Sequence, residues 1–197
     1  MKLNDFRKKM QKTVFSVSEA GRVAWETPSN TLRLQLHQWA KSGELLRIKR
    51  GIYAFADRVR DQTEVARLLY EPAYISLESA LNYHGLLPDV VFALTLVTTK
   101  ATRRFQTPLG QFIYHRIKKD LFWGYDPDSL MAEKEKALVD YCYFYSSRLF
   151  PTLECWEALR WQNLKEVDFK KAKSYSAKTG VQKVTTLIES LEDYGKG

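Results

Sequence analysis

The first 55 residues contain three helical patterns followed by two short β-prone runs, and this order restricts the fold more than any other feature of the sequence. A short helix is predicted over residues 4–12, with Asn4 as its N-cap. A second helix is predicted to run to about Trp25, and either Ser16 or Ser18 can cap it. Its apolar residues recur at the spacing of one buried stripe.

The third helix has the clearest pattern in the chain. Pro28 disfavours helical geometry at the residue before it, so the helix should begin after Pro28, with Ser29 or Asn30 as its cap. We predict a helix over residues 30–42, ended by Gly43, which suits the left-handed conformation that commonly terminates helices. The apolar residues at helical spacing form a predicted core stripe: Leu32, Leu36, Trp39 and Ala40.

After Gly43 the pattern changes from helix to strand. Two short β-prone runs, 45–49 and 52–55, flank Arg50 and Gly51 and predict a hairpin. The order helix, helix, turn, helix, hairpin is the layout of a winged helix-turn-helix, in which the hairpin is the wing. We therefore predict such a domain over residues 1–58.

The remaining residues, 59–197, predict a mixed α+β domain, so the expected fold class is α+β with terminal helices. Strands are expected at 73–75 and 90–98, and a second hairpin pairs 105–107 with 111–117. Helices are expected at 64–70, at 77–84 with Ser76 as cap, from Ser129 or Met131 onward until Pro151, and at 153–161, 169–174 and 181–194.

The positive charge is concentrated at the start of the chain. The whole chain has 31 Lys and Arg against 23 Asp and Glu, a net charge of +8. Residues 1–60 hold 13 of these bases and 5 of the acids, which is also +8, so the other 137 residues, with 18 of each, are balanced. A basic module joined to a neutral one suggests that the first part binds a polyanion. The alternative is that the excess only aids solubility.

Composition excludes several classes of protein. With 45% hydrophobic and 27% charged residues, the chain is neither disordered nor dominated by linkers. Its two cysteines, Cys142 and Cys155, are too few for a disulfide-stapled scaffold. No apolar run approaches the roughly 18–20 residues of a membrane helix, and no apolar segment of a signal peptide follows the first charges. We expect a soluble, reduced, cytoplasmic protein without a membrane partner.

The third helix and the hairpin carry the candidate DNA-binding residues. Arg pairs with guanine, and Asn or Gln with adenine, because their forked donors and acceptors match those base edges. Basic residues at a wing contact phosphates or enter the minor groove. The candidates are Ser29, Asn30, Thr31, Arg33, Gln38, Lys41, Arg47, Lys49 and Arg50. The alternatives are that Asn30 only caps, that Gln38 only faces water, and that the hairpin tip is merely solvated.

A second basic stretch lies between residues 100 and 119, which contain no acid. It either extends the DNA footprint, or meets an acidic partner, or is balanced by residues 120–168, which carry ten acids against five bases. Its members are Lys100, Arg103, Arg104, Arg116, Lys118 and Lys119.

No catalytic residue, metal site or cofactor is expected. The three histidines, His37, His84 and His115, are far apart, and the cysteines lack the spacing of a zinc site. No glycine-rich phosphate loop occurs. A metal nuclease would need an acid followed two residues later by Lys, and only 168–170 (Asp-Phe-Lys) fits, in a predicted helical segment without a strand.

Three segments resemble a known family. They are 46–54 (LRIKRGIYA), 72–86 (PAYISLESALNYHGL) and 135–140 (EKALVD). Together they resemble the AbiEi antitoxins, the transcriptional regulators of bacterial type IV toxin–antitoxin and abortive-infection systems of phage defence, over residues 15 to about 145. The resemblance implies a winged-helix domain that binds operator DNA and represses its own operon. It also implies a second domain that counters a nucleotidyltransferase-like toxin encoded nearby.

The sequence thus predicts a non-enzymatic, sequence-specific repressor that acts sterically on double-stranded operator DNA. An inverted-repeat operator would need a dimer or two monomers. The rival hypotheses are an interaction protein whose basic domain binds RNA or an acidic protein, and a nucleic-acid enzyme built on the second domain.

Overall fold

A computed structural model describes residues 1–59, 62–88 and 92–196. These residues contain helices and two small sheets, which confirms the predicted mixed α+β class. They divide into two compact units: the first comprises residues 1–71 and 105–111, and the second comprises 72–104 and 112–197. The first unit therefore extends beyond residue 58 and includes a later segment of the chain.

In its described residues, the first unit combines four helices with a three-stranded antiparallel sheet in the order β1-β3-β2. In chain order its elements are α1 (Leu3–Lys9), β1 (Val14–Ser16), α2 (Val17–Val23), α3 (Ser29–Lys41), β2 (Leu46–Lys49), β3 (Ile52–Ala54) and α4 (Gln62–Leu69). Strands β2 and β3 form the predicted hairpin, and Gly51 at its turn has φ +83°, which favours glycine. Strand β1 was not predicted. It pairs with β3, with Phe15 opposite Tyr53.

An aromatic core holds the first unit together. The side chains of Phe6, Phe15 and Phe55 are fully buried, and the rings of Phe6 and Phe15 lie 5.4 Å apart, edge to face. Edge-to-face pairs of this kind add to the stabilisation from burial alone. Leu32 and Leu36 of α3 belong to the same core.

The predicted N-caps of two helices in the first unit are wrong. Helix α1 begins at Leu3, so Lys2 and not Asn4 occupies the N-cap position. Helix α3 begins directly after Pro28, whose carbonyl accepts the first helical hydrogen bond from the Leu32 amide at 2.9 Å. Ser29 and Asn30 therefore lie inside the helix, and neither caps it.

The second unit packs helices against a sheet with the strand order β4-β5-β7-β6. Its elements are β4 (Ala73–Ile75), α5 (Leu77–Tyr83), β5 (Ala93–Thr98), β6 (Arg103–Thr107, shared with the first unit), β7 (Gly110–Arg116, likewise shared), α6 (Lys134–Tyr145), α7 (Leu153–Ala158), α8 (Phe169–Lys178) and α9 (Gln182–Lys196). Residues 90 and 91 of the predicted strand 90–98 lie outside the described residues, and β5 covers its remainder from Ala93.

Helix α6 is the centre of the second unit. Its residues from Glu135 to Cys142 are all buried, and they pack between α5, α8 and α9. The helix begins at Lys134 and not at Ser129 or Met131, because Met131 and Ala132 instead form single β-bridges with Ile75 and Tyr125. Cys142 is buried and Cys155 on α7 is half-buried, and neither is in a disulfide.

Candidate nucleic-acid interface

Helix α3 has one buried face and one exposed face. Leu32 and Leu36 are 1% and 0% exposed, while Trp39 is half-buried with its ring 5.5 Å from that of Phe6. The predicted core stripe is thus confirmed. These contacts fix the rotation of the helix about its own axis, and so they decide which side chains reach solvent.

The polar residues predicted for base and phosphate contact are on the exposed face. Along the 13 residues of α3 they are Ser29, Asn30, Thr31, Arg33, Gln38 and Lys41, and all six are exposed. Leu34 lies among them with 64% of its surface exposed. The face therefore offers amide, hydroxyl and guanidinium groups around one apolar side chain, a set that matches the mixed polar and methyl edges of a major groove.

The preceding helix, α2, is anchored by a capping box. The Ser16 hydroxyl accepts a hydrogen bond from the Glu19 amide at 3.2 Å, and the Glu19 carboxylate accepts one from the Ser16 amide at 2.8 Å. The Lys12 ammonium donates to the same carboxylate at 2.6 Å. Burial works to raise the pKa of Glu19, but the hydrogen bonds from Lys12 and Ser16 prevail and lower it to about 2. Ser16, not Ser18, is the cap.

The β2–β3 hairpin exposes two arginines to solvent, whereas its lysine contacts other residues of the first unit. Arg47 and Arg50 are exposed, and Arg50 stands at the turn. The Lys49 ammonium instead donates to the Leu69 carbonyl at 2.5 Å and lies 5.1 Å from the centre of the Phe105 ring. Lys49 is thus engaged inside the first unit, and it ties the hairpin to the end of α4.

The first unit keeps most of the positive charge. Its residues include 14 Lys and Arg and 8 Asp and Glu, a net charge of +6, which leaves 17 bases and 15 acids, or +2, for the second unit. A positive field of this size attracts polyanions and weakens as salt is added.

All six residues of the second basic stretch are exposed and lie in the second unit. Arg103 and Arg104 lie on β6, Arg116 ends β7, and Lys119 begins a single 3-10 turn. Arg104 also lines a cavity in that unit. The stretch is therefore a group of cations separate in sequence and in unit from those of α3 and the hairpin.

A buried polar cluster in the second unit was missed by the sequence reasoning. The Asp140 carboxylate accepts hydrogen bonds from the Tyr74 hydroxyl at 2.8 Å, from the Ser76 hydroxyl at 2.9 Å and from the Lys136 ammonium. Burial raises the pKa of Asp140, and burial together with the nearby Asp140 charge raises that of Tyr74. The available signal was a Lys and an Asp four residues apart in a helix that is otherwise apolar or aromatic after Lys136.

This cluster joins two of the segments that resemble the antitoxin family, because Tyr74 and Ser76 come from 72–86 and Lys136 and Asp140 from 135–140. Lys136 and Asp140 are 2% and 1% exposed. Groups so deeply buried act on packing and not on a substrate. The Ser76 hydroxyl therefore serves Asp140 and makes no capping hydrogen bond to α5.

Asp168 is the acid of the segment 168–170, which was considered above for a metal nuclease, and its role here is structural. Its carboxylate accepts a hydrogen bond from the Lys171 amide at 3.0 Å and caps α8.

Across 1–59, 62–88 and 92–196, no three His, Cys, Asp or Glu side chains cluster in a way that could hold a metal ion. None of the helices in those ranges is both long and apolar enough to span a bilayer.

Comparison of the sequence with models of known protein families gives no match, and neither does comparison with curated proteins.

Proposed function

We propose that the first unit is a winged helix-turn-helix that binds double-stranded DNA, with α3 as the recognition helix. The observation that carries the proposal is the division of α3 into a buried apolar face and an exposed polar face within a unit of net charge +6. The element order α1, β1, α2, α3, β2, β3 supports it, because a short strand that joins the hairpin in one sheet would hold the wing beside the two helices.

In this proposal α3 enters the major groove with its N-terminal half. Arg33, Asn30 and Thr31 then face base edges, and Arg33 is the side chain suited to bidentate pairing with guanine. Gln38 and Lys41 lie about one and a half to two turns beyond Arg33 and contact the groove wall or the phosphates. The exposed Leu34 fits against a thymine methyl group.

The wing contributes through Arg47 and Arg50. Both are exposed on the hairpin, and in this proposal they contact phosphates or the minor groove. Lys49 contributes indirectly, because its hydrogen bond to the Leu69 carbonyl holds the hairpin in place.

We further propose that the chain is a non-enzymatic, cytoplasmic repressor of its own operon and the antitoxin of a type IV system. The support is the resemblance of residues 15 to about 145 to the AbiEi antitoxins, together with the meeting of two of its segments at Asp140. A steric mechanism suffices, since a protein seated on an operator excludes polymerase. The partner of the second unit would be the nucleotidyltransferase-like toxin that the resemblance implies.

Fluorescence anisotropy with the full chain tests DNA binding. The probes are the duplex from immediately upstream of its own coding sequence, a scrambled duplex of the same composition, and an RNA duplex of the same sequence. We expect the upstream duplex to bind at least about a thousandfold more tightly than the scrambled one, with affinity that falls as salt rises. Equal affinity for all three probes, or preference for RNA, would overturn the proposal in favour of an RNA-binding module.

Two variants separate the roles of helix and wing. Arg33→Gln should cost about 1–3 kcal/mol with the upstream duplex and little with the scrambled one, because it removes a base contact. Arg50→Gln should weaken both duplexes alike and reduce the slope of log affinity against log salt by about one. Lys165→Gln, which removes an exposed positive charge from the second unit, is the control and should change neither. The reverse pattern for Arg33 and Arg50 would refute these roles.

A further inference from the structure

The second unit contains a cavity of about 350 Å³ to which the proposed DNA-binding function assigns no role. Its volume lies at the small end of the range for ligand pockets. The walls come from α5, β5–β7 and α6, together with residues near the end of α7. The lining includes the apolar side chains of Leu87, Ile113 and Leu159 and, among its polar side chains, those of Glu78, Arg104 and His115.

Glu78 has hydrogen-bonding capacity left over. Burial, and then the neighbouring Glu78 carboxyl group, raise the pKa of Tyr145, yet the Glu78 oxygen Oε2 is buried and has no hydrogen-bond partner among the described residues. A buried oxygen without a partner costs free energy, and native structures seldom leave one without a reason. A ligand that donates a hydrogen bond to Oε2 would remove that cost, and a cationic donor would do so most strongly.

Arg104 supplies the opposite charge in the same cavity. His115 lies within electrostatic reach of both residues: burial lowers its pKa, the Glu78 charge acts to raise it and the Arg104 charge acts to lower it further. His115 is therefore neutral at neutral pH and adds no charge. Among the residues that the structure describes, the charged lining thus consists of one carboxylate and one guanidinium, which is the complement of a zwitterion.

We propose that this cavity binds a free α-amino acid with an apolar or aromatic side chain, its ammonium at Glu78 Oε2, its carboxylate at the Arg104 guanidinium and its side chain against Ile113 and Leu159. A simple amine would satisfy Glu78 but would be repelled by Arg104, and a simple carboxylate would meet the reverse arrangement. A charged side chain on the amino acid would lie against the apolar wall and lose its hydration.

Calorimetric titration of the full chain with L-phenylalanine and two matched analogues tests the proposal. Phenethylamine lacks the carboxylate, and 3-phenylpropionate lacks the ammonium. L-phenylalanine is expected to bind at least about tenfold more tightly than either analogue, because each analogue leaves one charged group of the cavity without its partner. Equal binding of the three compounds, or no heat with any of them at about 10 mM, would overturn the proposal.

Variants check that the ligand lies in this cavity. Glu78→Gln and Arg104→Gln should each weaken L-phenylalanine at least about tenfold, while Arg103→Gln, the neighbouring residue of β6 outside the cavity lining, should not. Glu78→Asp, which keeps the charge, should weaken binding less than Glu78→Gln. Unchanged binding in both neutral variants would place the ligand elsewhere and refute the assignment. DNA affinity is measured separately, so failure here leaves the DNA-binding proposal unaffected.

Discussion

Lys136 and Asp140 form an ion pair one turn apart on α6, inside the second unit. A buried charge costs several kcal/mol unless it is paired. Removing either member of the pair alone therefore destabilises the fold, because the other charge stays buried without its partner. Lys134, two residues earlier, forms a bridge of 2.9 Å to Glu166, whose side chain is 62% exposed. The two lysines therefore offer a comparison of a buried and a surface ion pair within one helix.

Lys136→Met is expected to lower the free energy of unfolding by about 3–5 kcal/mol, because it leaves the Asp140 carboxylate buried without its counterion. Lys134→Met, the matched control, should cost about 1 kcal/mol or less, as surface ion pairs usually do. Urea denaturation of the two variants measures the difference. Equal losses would show that the burial of Lys136 carries no special cost.

Glu19 gives the first unit an acid-sensitive contact. Its pKa is about 2 in the folded state, compared with 4.5 for an ordinary glutamate of the unfolded chain. The stabilisation that the charged Glu19 carboxylate gives to the fold is therefore complete above about pH 4.5, and it is lost as the pH falls towards 2. Glu19→Gln should therefore lower the free energy of unfolding by about 1–2 kcal/mol at pH 7, and the difference from the natural chain should shrink below pH 4.5. Denaturation curves between pH 7 and pH 3 test this. Glu44→Gln, at an exposed site, is the control, and a gap that widened in acid would contradict the assignment.

At the scale of the element, helix α3 was predicted well because local sequence determines it. The preceding Pro28, the terminating Gly43 and the stripe of Leu32 and Leu36 all lie within the segment itself. Strand β1 was missed because three residues are too few to show a period, and its pairing partner Tyr53 is 38 positions from Phe15. In the same way, the partner of Ser76 is Asp140, and only the tertiary fold brings the two together.

The two leucines on opposite faces of α3 test that division. Leu36→Ala should lower the free energy of unfolding by about 2–5 kcal/mol, because it opens a cavity in the aromatic core. Leu34→Ala, on the exposed face, should change it by less than about 0.5 kcal/mol. Thermal or urea denaturation measures both. A large loss for Leu34→Ala would mean that this face is packed and not available to DNA.

At the scale of the whole molecule, the chain crosses between the units three times, after residues 71, 104 and 111. The later segment 105–111 completes the first unit: the Phe105 ring lies 5.8 Å from that of Tyr70, and the Leu109 carbonyl accepts a hydrogen bond from Gln62 at 2.8 Å. Sequence patterns predicted a hairpin here but not its membership of the first unit. Periodicity reports on local structure and not on which core a hairpin turn joins.

A fragment of residues 1–71 should therefore unfold at a lower temperature than the first unit within the full chain, because it loses the contacts of Phe105 and Leu109. Circular dichroism of the fragment, compared with the full chain and with the variant Phe105→Ala, measures the loss. Gln106→Ala, at an exposed position of the same segment, is the control. An identical midpoint for the fragment and the full chain would show that the segment adds no stability.

The two cysteines give the chain an internal reporter of its own unfolding. Burial raises the pKa of Cys142 to about 12, so almost none of it is the reactive thiolate at neutral pH, whereas Cys155 is partly open to solvent. A thiol-directed dye should consequently label the native chain once, at Cys155, and a second time only when α6 opens. The rate of that second labelling would time the opening of the second unit without any engineered probe.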